Sequence, residues 1–259
     1  MKILILVDKI ITDDELDELQ RRFTDFIYEN TGIDPTYFVE EKDYKNYPVY
    51  TDADGDIRPH NVFLRETAKD VHRRYSGEGT DHVVLLIHED HWKSPTIWGT
   101  AYANVYSGYQ LHYCRLDRDN ETNSFNTLFH EYLHPIDALV KTYTGVDLNS
   151  LVEANLRKTY WDNGTLITYL DRNGFDWDRD FVHGGLRPPF GYIGRRGVLW
   201  QDEVGRILQL IAPLLVESYQ KRDKIYQEKI GKMKTIVTIL TQIVALLRQQ
   251  FNKKSGVTK

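Results

Sequence analysis

Two histidines and a glutamate in His130-Glu131-Tyr132-Leu133-His134 have the residue types and spacing for metal chemistry. On an α-helix, positions i and i+4 share a face about one turn apart, so both imidazoles can close on one ion. Glu131 then falls beside an open coordination position, where it can accept a proton from a water on the metal. A carboxylate from a second helix would complete a two-His, one-Glu set. Glu153, which follows His134 after eighteen residues, is the candidate. Such a set is catalytic in kind, because a structural zinc takes all four ligands from protein.

The flanking residues must supply a helix and a core. Asn123 or Ser124 can cap a helix over 123–139, with Leu128, Phe129, Leu133 and Ile136 on its buried side. Two histidines and a glutamate on so apolar a segment need partners, and a metal supplies them. Glu153 has a rival role, since Ser150-x-x-Glu153 matches a capping box in which the glutamate only bonds its own helix end. Asp137 is a rival ligand or a partner of a ligand histidine. A straight helix would carry it about 10 Å from His130. Pro135, however, disfavours helical geometry at His134 and can end or kink the helix there.

These motifs resemble the gluzincin metallopeptidases, whose third ligand is a glutamate on the helix after the active-site helix. The interval to Glu153 matches the alanyl-aminopeptidase branch, although this chain is far shorter and lacks the exopeptidase signature. It departs from the thermolysin-like branch at Arg157, where an aspartate would support a ligand histidine. It departs from the metzincins at Val140, which cannot ligate. The resemblance covers roughly residues 80–160. It implies a zincin-like α/β (α+β) fold with a mixed sheet and an active-site helix, a Zn2+ ion on His130, His134 and Glu153, and peptide or protein substrates. It also implies a His or Tyr from the later region to support the oxyanion, for which His183 and Tyr192 are the candidates.

Composition narrows the alternatives. A net charge of −5 with scattered Lys and Arg argues against nucleic acid as the main partner. A single cysteine, Cys114, excludes an internal disulfide framework and fits a reducing compartment. The apolar run in Met1–Val7 is too short for a signal peptide, and no membrane span is expected from the apolar runs. The expected location is cytoplasmic, or virion-associated if the chain belongs to a particle.

The elements that must position the site follow from periodicity. Strands are expected over 3–7, 36–41, 83–88, 100–106 and 110–115, and amphipathic helices over 12–26 and 64–75. Their alternation points to a mainly parallel sheet with packed helices. Asp52-Ala-Asp-Gly-Asp56 reads as a solvated turn, because the twelfth position of a calcium loop would be Phe63. Residues 171–178 read as an acidic loop. Residues 1–198 form the expected catalytic domain. In 199–259 a helix is interrupted at Pro213, and then Tyr226, Ile230, Met233, Val237, Leu240, Val244, Leu247 and Phe251 recur at 4-3 spacing. A second stripe, Ile236, Ile239, Ile243 and Leu246, widens the seam. The repeat points to a homo-oligomer through 226–251, and the rival is a helix docked on its own domain. An assembly protein that keeps a zincin-like fold is the alternative to an enzyme.

Overall fold

The computed structural model describes residues 1–60, 66–67, 80–95, 99–106, 109–116, 121–159, 164–183 and 201–254. Strand β1 (Lys2–Asp8) is apolar on both faces, as a central parallel strand must be, and its residues 3–8 are buried. It pairs in parallel with β2 (Thr36–Lys42) on one side and β5 (His82–His88) on the other. Strand β5 pairs in parallel with β7 (Tyr109–Leu116), and β6 (Gly99–Tyr106) closes the edge antiparallel to β7. The order is therefore β2-β1-β5-β7-β6, a mixed sheet that is mostly parallel. A separate hairpin, β3 (Val49–Thr51) and β4 (Ile57–Pro59), was not legible in the sequence. Its turn is the Asp52–Asp56 segment, where Asp52 Oδ1 accepts the amides of Asp54 and Asp56. Gly55 there has φ 86°, which a side chain would strain.

Helix α1 (Asp13–Thr31) starts at the expected capping box and ends where Gly32 turns left-handed at φ 67°. Its buried face is Leu16, Leu19, Phe23, Phe26 and Ile27. That face meets α2 (Glu121–Leu133) edge to face, with Phe26–Phe129 centroids 4.3 Å and Phe23–Tyr132 centroids 5.4 Å apart. Truncating Phe23 would remove one of the aromatic contacts between the two helices, at about 3–5 kcal/mol. Helix α2 starts at Glu121, before the Asn123 or Ser124 expected as its cap. The helix predicted at 64–75 lies, but for 66–67, outside the described residues.

Pro135 ends α2 as anticipated: His134 and Pro135 form a turn, and α3 (Ile136–Thr144) begins a new helix. The chain continues through α4 (Leu148–Thr159), α5 (Gly164–Asn173) and a single π-helical segment, Trp177–Val182. Of the acidic loop read at 171–178, only 174–176 is non-helical; its ends belong to α5 and the π-helical segment. Trp177 ties it to the site helix, because its indole N–H donates to the Leu133 carbonyl at 2.9 Å. That bond satisfies one of the carbonyls α2 leaves open when Pro135 stops it.

Helix α6 (Gln201–Lys254) runs unbroken through Pro213, contrary to the expected interruption. Ile211 and Leu215 on either side of the proline are both buried in the same core, and their packing offsets the roughly 3 kcal/mol an interior proline costs. Its first half is core, with Ile207, Leu208, Tyr219 and Tyr226 also buried. Arg222, equally buried, donates to the carbonyls of Thr80 and Asp81 at 2.8 and 3.0 Å. Tyr219 links the helix to His82 at 2.7 Å and to Tyr132 at 3.3 Å. Beyond Tyr226 the apolar residues turn outward, so the reading of a helix docked along its length fails for this half. By length and composition alone, Gly205–Phe251 could cross a membrane, a property the apolar runs had not revealed.

Candidate metal centre

His130 and His134 stand where the i,i+4 rule puts them, on the last turn of α2 and just past it. Their Nε2 atoms lie 3.1 Å apart. Each ring is held from behind. His134 Nδ1 bonds Asp178 Oδ1 at 2.5 Å, and the His130 ring bonds the backbone of Val182. When His134 Nδ1 carries the proton for its bond, its Nε2 is left with a lone pair beside His130 Nε2. Two nitrogens on a tetrahedral zinc lie about 3.3 Å apart, so this separation suits a shared cation. Support of the ring from behind is how metal-binding histidines are oriented.

The third imidazole is His183. Its ring centroid lies 5.1 Å from that of His130 and 4.8 Å from that of His134. The nitrogen donors of the three residues lie within 4.8 Å of one another, the one such group among the described residues. The π-helical segment makes this possible. The His183 amide bonds the Asp178 carbonyl five residues back, which brings residues 178 and 183 to the same side. Asp178 Oδ2 then lies 3.5 Å from His183 Nε2. One carboxylate thus serves two of the three imidazoles. The neighbouring histidines, with His134 first, draw the Asp178 carboxyl below its ordinary range. Burial, chiefly, depresses His130 to about 3, so its ring stays neutral and available as a ligand.

Glu131 faces away from solvent at 4% exposure, and its Oε2 makes no hydrogen bond within the chain. That oxygen is 3.9 Å from His134 Nε2, beside the imidazole cluster. Burial pushes the carboxyl well above its usual range, and the Asp178 charge adds to the effect. Gly99 at the start of β6 leaves it room. A β-carbon there would sit 2.6 Å from Glu131 Oε1 and 2.7 Å from Thr127 Cγ2.

The structure does not bring Glu153 into this group. Its Oε1 accepts from Arg157 Nε at 3.0 Å, and its Oε2 accepts the Phe175 amide at 2.8 Å. Its role here is to bind α4 to the turn before the π-helical segment. The capping-box alternative fails as well: Ser150 lies inside α4, and Asp147 accepts the amides of Asn149 and Ser150 instead. Asp137 bonds the neighbouring amide of Ala138 at 2.6 Å and is also outside the group. The supporting role considered for it belongs to Asp178. His183, expected as an oxyanion group, occupies the place expected of Glu153. Tyr192 lies outside the described residues. At the ends of β1 and β5, His91 bonds the buried Asp8 at 2.7 Å, with no third ligand grouped with them among the described residues.

Compared with protein-family models, curated proteins and solved structures, the chain shows no match. The gluzincin likeness therefore rests on the five-residue motif and its spacing, and the group around that motif that could hold a metal ion is three histidines.

Proposed function

We propose that the chain is a zinc-dependent hydrolase acting on peptide bonds, with His130, His134 and His183 as metal ligands and Glu131 as general base. The observation that carries this reading is the buried Glu131 carboxylate beside three converging imidazoles. A merely structural ion would have no use for a carboxyl kept out of water and out of hydrogen bonds. Zinc in such a site supplies an acidified water and polarises a carbonyl. Glu131 in its ionised form would take the proton and hand it to the leaving amine; burial makes that carboxylate a stronger base, and a cation on the neighbouring imidazoles would favour the ionised form. Asp178 keeps His134 and His183 oriented, and the chain's own packing through Trp177 holds Asp178 in place.

Glu131→Gln tests the reading. The amide retains the shape but accepts no proton, so the variant should keep one zinc per chain and lose hydrolysis of a mixed peptide library by at least 100-fold. Undiminished hydrolysis would remove Glu131 from the mechanism. A protein that binds zinc but cleaves nothing as wild type would favour the second reading, an assembly protein. The exposed outer half of α6 is the observation behind that alternative.

A further inference from the structure

Nine apolar side chains between Met233 and Leu247 (Met233, Ile236, Val237, Ile239, Leu240, Ile243, Val244, Leu246 and Leu247) are each 45–61% exposed. Such a row along one helix leaves on the order of 500–800 Å2 of apolar surface per chain. That approaches the roughly 800 Å2 per partner of a stable protein interface. We propose that α6 beyond Tyr226 is the stalk of a helical bundle of at least three copies of this chain.

The residue types name the occupant. In heptad register, Ile230, Val237 and Val244 fall at a, and Met233, Leu240 and Leu247 at d, a pattern that seats a copy of itself. Ile236 and Ile243 with Ile239 and Leu246 repeat the same 3-4 spacing one residue earlier, about 100° around the helix. Two seams at that angle place each helix between two neighbours, so a pair of chains would leave one seam wet. Residues 235–247 carry no charge, so nothing along the seams selects a partner of opposite sign. A bilayer fits less well. The uncharged stretch between Lys234 and Arg248 is thirteen residues, about 20 Å of helix against a hydrocarbon core of about 30 Å.

The test is the mass of the full chain by light scattering at tens of micromolar, without detergent, beside the variant Leu240→Glu/Val244→Glu. Both positions are exposed in the single chain, so the substitutions break no contact within it, and the variant should still show a helical circular dichroism spectrum and a cooperative melt. The expected result is at least three chain masses for wild type and one for the variant. A control, Thr238→Glu on the polar side, should assemble like wild type. A wild-type monomer or dimer, or a variant that assembles unchanged, would overturn the proposal. So would co-flotation of monomeric wild type with phosphatidylserine-containing vesicles, which would assign the stripe to a membrane surface. None of these readouts depends on zinc or hydrolysis.

Discussion

Replacing Gly99 with alanine should disable the site without touching a metal ligand. The new methyl would lie 2.6 Å from Glu131 Oε1, 2.7 Å from Glu131 Cγ and 2.7 Å from Thr127 Cγ2. Carbon atoms prefer about 3.5–4.0 Å, so two of these contacts overlap by roughly 1 Å. Neither neighbour can swing into solvent, since Glu131 and Thr127 are both buried in α2, opposite the sheet edge. Either α2 lifts from β6 or the Glu131 carboxylate is displaced. Overpacking of this kind costs about 1–3 kcal/mol. In a chain of this size that lowers the melting temperature by roughly 2–12 °C. A displacement of about 1 Å at a catalytic group costs up to 100-fold in rate. The assay is a thermal melt, zinc content and kcat/KM on one peptide for Gly99→Ala. Zinc should remain stoichiometric while rate and melting temperature fall. Adding Thr127→Ala should return part of the stability and none of the rate, because it relieves only the Cγ2 contact. A Gly99→Ala protein with wild-type rate and melting temperature would refute the close approach and the placement of Glu131.

Two further outcomes follow from the site's geometry. His183→Ala should lose zinc in a competitive chelator titration, while Glu153→Ala keeps it and loses only about 1–3 kcal/mol for the orphaned Phe175 amide; the reverse pattern would restore the gluzincin ligand set. In zinc-free protein, His130 titrates near 3 when folded and near 6.5 when unfolded, so the unfolded chain binds the extra proton between those values. Stability should therefore fall as pH drops from about 6.5 toward 3. The fall should be shallower in His130→Asn, and denaturant melts showing equal slopes would contradict the burial of that ring.

The sheet was legible because parallel central strands are apolar runs, and β1, β5 and β7 lie close to where periodicity put them. The α1 cap and the stop at Pro135 were legible for the same reason, since each depends on one or two residues acting locally. The histidine cluster was legible only to the reach of one helical turn. His130, Glu131 and His134 lie within five residues, but His183 joins them through a fold contact 49 positions away. The segment that delivers it is π-helical, and no α or β periodicity marks Asp178 and His183 as neighbours. Glu153 shows the opposite failure. Its interval fits a known spacing, yet Arg157 one turn later and the Phe175 amide engage both of its oxygens. Pro213 misled in turn, because a local helix breaker was weighed without the buried residues flanking it.

Helix α6 also governs how the molecule diffuses. From Tyr226 to Lys254 it extends about 40 Å beyond the residues that anchor it. The folded body of some 220 residues has an expected radius of gyration of only about 17 Å. Even one chain therefore presents a rod longer than the radius of its body, and drag rises with length far more than with mass. A single chain should elute from a sizing column like a globular protein of considerably greater mass. Retention time alone would report assembly where there is only elongation, so the number of chains has to be read from scattered light or sedimentation equilibrium.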